Sequence, residues 1–340
     1  QRQMCIRDRL KEALDLIDPV IQQAKVGQIE VIRKDPNLAT GFLNLALRAS
    51  VQGRDLAKAR EVLAVMQQLD GGSGDEAVKN QLGQVYTLAR QVAGEIKTLS
   101  DPKMIETGIA GMSAVVEELA KNAEKYNTEN TRLLALSFSS LGLHKRAVEV
   151  MQLAVDKTIG EAKSDPAKFK QDGSGQGLLL TFVKELRKDG RSAEARQYLV
   201  EWMGTPKAPG WAANSVEAKL ERLNILASEE KHGLVVTEAS TLAKQLLPRA
   251  ADNLYKERYL EAYWHMVNST YLYGKGKKDG SQMDRAGSLL AQMERSWPDF
   301  GTQESRARVE EMLNREPNLR ERFEAAKKKS TNNPAPPAKK

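Results

Sequence analysis

Residues 131–157 read TRLLALSFSSLGLHKRAVEVMQLAVDK, and their periodicity decides the fold class. Leu134, Ala135, Phe138 and Leu141 fall at helical spacing, Gly142 interrupts them, and Ala147, Val150, Met151 and Ala154 form a second stripe. Each stripe covers one face of a short helix. A pair of helices this thin cannot bury both stripes alone, so it needs neighbours of the same kind.

Similar patterns surround it. Phe42, Leu45, Ala46 and Ala49 precede Gly53, and Ala59, Leu63 and Met66 follow. Phe182, Val183 and Leu186 precede Gly190, with Ala195, Leu199 and Trp202 after it. The last unit pairs an aromatic-rich helix over about 254–273 with one carrying Ala286, Leu290 and Met293, joined by a GKGKKDG loop with Gly274 as its turn. Trp297-Pro298 closes that second helix. Between these units, periodicity alone predicts helices over about 76–99, 102–126, 213–229 and 234–247. Asp-Pro recurs at Asp18, Asp35, Asp101 and Asp165. Asp accepts a hydrogen bond from the first turn and Pro tolerates the first helical position, so each dipeptide predicts a helix start. The first of these helices carries Val20, Ala24, Gly27 and Val31 on one face. DGGSGDE at 70–76 and QDGSGQG at 171–177 read as loops. GTPKAPGWA at 204–212 reads as a linker that breaks the array. The polar helix over about 303–314 reads as a solvating cap.

The order Leu134-Ala135, Phe138, Gly142, Ala147, Ala154 resembles the tetratricopeptide repeat. That resemblance implies an all-α fold, an α-solenoid of tetratricopeptide-like antiparallel helix pairs. The expected organisation is a helical array over 10–203, the linker 204–212, further repeats with the capping helix over 213–328, and a disordered lysine- and proline-rich tail over 329–340. Residues 1–9, QRQMCIRDR, resemble a translated sequencing adapter and are set aside as non-native, so the native start is expected to be missing.

The charge agrees with a neutral body. The net +7 resides at the ends: residues 1–9 contribute +2 and the five lysines of 327–340 contribute +5. A body with balanced charge has no global basic footprint, so nucleic acid is not an expected partner. The lone cysteine, Cys5, supports no disulfide argument. No apolar run reaches the ~18 residues of a membrane span, and a cytoplasmic location is expected.

Chemistry is sparse. His144, His232 and His265 are the three histidines. Glu261 and His265 share a helix face but have no third ligand in the sequence, so the pair reads as a surface contact and not a metal site. GSGQG at 173–177 precedes a helix but lacks the Gly-Lys-Ser/Thr ending of a phosphate loop. No enzyme activity, cofactor or metal is therefore expected.

The resemblance implies a partner groove lined by the first helix of each pair. Carrying its phase across places Arg132 and Leu136 there, then Lys184, Arg187 and Lys188, then Glu261, Trp264, Asn268 and Tyr271. The expected function is a non-enzymatic scaffold binding a protein or peptide partner, acidic against the basic trio and apolar against Trp264 and Tyr271. Two alternatives stand beside it: an interaction segment of a larger enzyme such as a kinase, and a nucleic-acid-associated protein acting through its lysine tail.

Overall fold

The computed structural model describes residues 36–331 except 54, 70–73, 99 and 206, together with 15, 18, 19, 21 and 22. The leader at 1–9, the face residues Val20, Ala24, Gly27 and Val31 and the tail beyond 331 lie outside the described residues. Among the described residues every element is helical except one isolated bridge, Gly204 to Pro209. The all-α expectation holds at that level. No described helix is long and apolar enough to cross a membrane.

The chain divides into two compact units, 1–190 and 191–340. The first holds α1 (Pro36–Gly53), α2 (Leu56–Leu69), α3 (Asp75–Ile96), α4 (Pro102–Ala120), α5 (Thr128–Ser140), α6 (His144–Ser164), the single turn α7 (Pro166–Phe169) and α8 (Gly173–Lys188). The helix-start reading of Asp-Pro holds at Asp101 and Asp165, whereas Asp18 is itself helical and its carboxylate pairs with Lys58. Asp101 accepts from the Lys103 amide and Asp165 from the Lys168 amide, each with Pro in the first turn. Asp172 does the same for Gly175, so GSGQG is not a loop. Those glycines form the first turns of α8, because the Asp cap satisfies an amide that a flexible linker would leave to water.

The pairs α1/α2, α3/α4 and α5/α6 are helical hairpins in contact, and α5 packs on both α3 and α8. One packing departs from simple stacking. α1 lies against α4, where a Cβ on Gly111 would sit 2.4 Å from the Val51 carbonyl oxygen. Only glycine permits that backbone approach. With α1 drawn to α4, a cleft lies between α1, α3 and α5.

The second unit holds α9 (Ser192–Met203), α10 (Val216–Ser228), α11 (His232–Leu246), α12 (Asn253–Lys277), α13 (Gly280–Ser296), α14 (Gln303–Arg315) and α15 (Pro317–Thr331). The described residues of 204–212 fold back on the end of α9, with Gly210 donating to the Met203 carbonyl and Ala212 to that of Trp202. Gly204 takes φ 67° and bridges Pro209, and Trp211 packs on Trp202 with ring centroids 5.5 Å apart. Gly204 and Pro209 close a tight turn.

GKGKKDG is not a loop, since α12 continues to Lys277 and turns at Lys278, φ 55°. Gly274 is a buried helical residue against Gln282 and Met283. The polar helix α14 is also not the last. It buries Val309, Met312 and Leu313, and α15 follows it, packing Leu319 and Phe323 against α13. Lys327 belongs to α15 and pairs with Glu294 at 2.9 Å. High charge density hid a helix whose two anchors lie four residues apart.

Candidate functional site

The cleft of the first unit encloses about 670 Å³. α1 supplies Asn44, Leu45 and Arg48, α3 supplies Lys79 through Gln91, and α5 supplies Glu129 and Leu133. Asn80, Gln84 and Gln91 share one face of α3 because four and seven residues are close to whole turns. Leu45 is 47% exposed. It is a large apolar side chain left open beside the better buried Leu88.

The charged lining groups have their own partners. Arg48 pairs with Glu95, Lys79 with Glu76 at 3.6 Å, and Glu129 with Arg132 at 2.8 Å. The hydrogen bond from Arg132, which outweighs the cost of burial, holds the Glu129 carboxyl below the usual carboxylate range. The amides differ. Asn44, Asn80 and Gln91 are exposed and Gln84 is half-buried; none has a hydrogen-bond partner among the described residues, and the Gln84 Oε1 atom is buried. A buried amide oxygen without a donor costs free energy that a bound donor would return. Sequence reading missed these residues. They lie in a helix without repeat signature, and isolated Asn and Gln on a helix carry no pattern.

A second cluster sits between α5, α6 and α8. Glu185 is 1% exposed and accepts from Ser139 Oγ at 2.8 Å and Lys188 Nζ at 2.9 Å, with His144 Nδ1 2.8 Å away. In a nucleophilic triad the imidazole lies between hydroxyl and carboxylate. Here the carboxylate lies between hydroxyl and imidazole, so nothing activates Ser139. The arrangement is a buried clasp whose carboxylate is fully partnered, joining three helices.

The residues expected to line a groove fall in different settings. Arg132 sits at the cleft edge through Glu129. Lys184 and Arg187 are half-buried, and Lys188 is bound to Glu185, so the trio is not an open basic stripe. Trp264 is half-buried against the second unit's core, with Nε1 buried and without a partner. Asn268 is 7% exposed. Tyr271 is 2% exposed among the largest fully enclosed side chains, which corrects its expected role as a groove anchor. α12 runs three residues past Gly274, which moves the turn that set its phase four residues on, to Lys278. Glu261 lies near Arg308, at 3.8 Å. No group of three or more potential metal ligands occurs among the described residues.

No protein family, characterised protein or solved structure matches this chain.

Proposed function

We propose that the chain is a non-enzymatic scaffold of tetratricopeptide-like helix pairs, arranged as a solenoid, that binds a segment of a partner protein. The binding surface is the α1/α3/α5 cleft rather than the basic trio or the aromatic helix. One observation carries this: unpartnered amides and an exposed leucine line the same concavity. Hydrogen-bonding groups without partners beside an apolar anchor are what a bound chain would satisfy. The Glu185 clasp and the hairpin packing serve to hold α5 and its neighbours fixed.

A photo-crosslinking side chain in place of Thr87, inside the cleft, should trap a protein partner in cells. The same group in place of Glu149 on α6 should not. Equal trapping from both positions, or none from position 87, overturns the proposal.

A further inference from the structure

We infer that the cleft selects an extended, uncharged stretch of polypeptide of about five residues, carrying one aliphatic side chain. This rests on the reading of the cleft as a binding surface and adds the chemistry of what it binds. Arg48, Lys79 and Glu129 are each paired within the protein, so an acidic or basic ligand would have to compete with Glu95, Glu76 or Arg132 for them. A ligand charge placed among neutral amides would lose hydration without gaining a counter-ion.

The amides supply what a neutral main chain needs. Each offers two donors and an acceptor, matching a peptide C=O and N–H. Asn80 and Gln84 are four residues apart on α3, a rise of about 6 Å. Two residues of extended chain advance about 6.6–6.8 Å. Successive amides therefore meet successive peptide groups of the same orientation. From Asn80 to Gln91 α3 advances about 16 Å, the length of about five extended residues. Asn44 faces this row from α1. Leu88 of α3, between Gln84 and Gln91 in sequence, lines the cleft together with Leu133 of α5 and the open Leu45 of α1, giving one aliphatic patch. Gly83, with no atom within 4 Å of an added Cβ, leaves that wall open for backbone approach. Thr87 already donates to the Gly83 carbonyl at 2.9 Å and takes no part.

Panning a phage-displayed library of random heptapeptides on the full chain tests this. Enriched sequences should lack charged residues and share one Leu, Ile or Val. Synthetic copies, acetylated and amidated at their ends, should bind with affinity that changes less than about twofold up to ~1 M salt, where the Debye length is about 3 Å. The double variant Asn80→Leu, Gln84→Leu, checked for native helicity by circular dichroism, should bind at least about tenfold more weakly, as the loss of two or more hydrogen bonds to the ligand requires. Charged peptides that bind in the cleft and weaken with salt overturn the inference but leave the scaffold reading intact. Neutral peptides that bind the double variant equally well overturn the assignment to this row of amides. No enriched peptide at all overturns both readings.

Discussion

Three helical hairpins close with the same hydrogen bonds but with different residues at the critical position. Between α5 and α6 the Leu143 amide donates to the Phe138 carbonyl and Gly142 to Ser139, both at 3.0 Å. Between α10 and α11, Lys231 donates to Leu226 at 2.9 Å and Glu230 to Ala227 at 3.0 Å. Between α12 and α13, Asp279 donates to Gly274 at 2.8 Å and Lys278 to Lys275 at 3.3 Å. All three satisfy helix-end carbonyls with the paired bonds of a Schellman closure. The left-handed residue is Gly142 at φ 77° in the first unit, but Glu230 at φ 57° and Lys278 at φ 55° in the second. The backbone demands the same conformation each time. Only the first unit supplies the residue that adopts it without strain.

The difference has a structural consequence on α12. Reading Gly274 as the turn ends the helix four residues early and shifts its register against its partner. Tyr271 is the residue whose assignment changes most, from groove to core. Tyr271→Ala should cost about 3–5 kcal/mol of stability, as removal of a buried aromatic side chain does. Urea denaturation measures it. A loss below about 1 kcal/mol would mean that α12 presents a different face and that Lys278 does not end it.

Legibility followed the same division. Apolar periodicity placed the hairpins, since Phe138, Ala147, Phe182 and Ala286 are all fully buried. Gly142 and Gly190 marked turns because both take positive φ. Where a turn was made by lysine, or a helix by charged residues as in α15, local composition contradicted the tertiary outcome. Buried Leu319 and Phe323 decide α15, and two residues are too few to show a period. The cleft was illegible for another reason. It depends on α1 packing against α4 through Gly111, a contact between residues 60 apart in sequence that no local pattern encodes. His144 and Glu185 likewise meet across 41 residues.

The glycine hairpin gives the next largest effect. Gly142→Ala forces a side chain into the left-handed region, where an L-residue pays roughly 1–2 kcal/mol. No atom lies within 4 Å of the added Cβ, so sterics with neighbours contribute nothing, and the narrower unfolded ensemble of alanine offsets about 0.4–1 kcal/mol of that strain. Thermal unfolding followed at 222 nm should show the remaining loss. An unchanged midpoint would place the α5–α6 closure elsewhere than at Gly142.

Lys278→Gly tests the same physics with the opposite sign and the smallest magnitude. Lysine at φ 55° carries the strain that Gly142 avoids, so glycine should relieve roughly 1–2 kcal/mol. Against that, glycine widens the unfolded ensemble by about 0.4–1 kcal/mol. Loss of the side chain itself adds little, since Lys278 is exposed and makes no ion pair among the described residues. The net expectation is a gain of about 0.5–1 kcal/mol, a rise in the second unit's melting temperature of about 2–3 °C by scanning calorimetry. Glu230→Gly, at the other left-handed turn of this unit, should act in the same direction. A fall in stability for Lys278→Gly would show that the residue is not held left-handed in solution. The α12–α13 hairpin would then close at Gly274 after all, and the comparison between the two units would lose its basis.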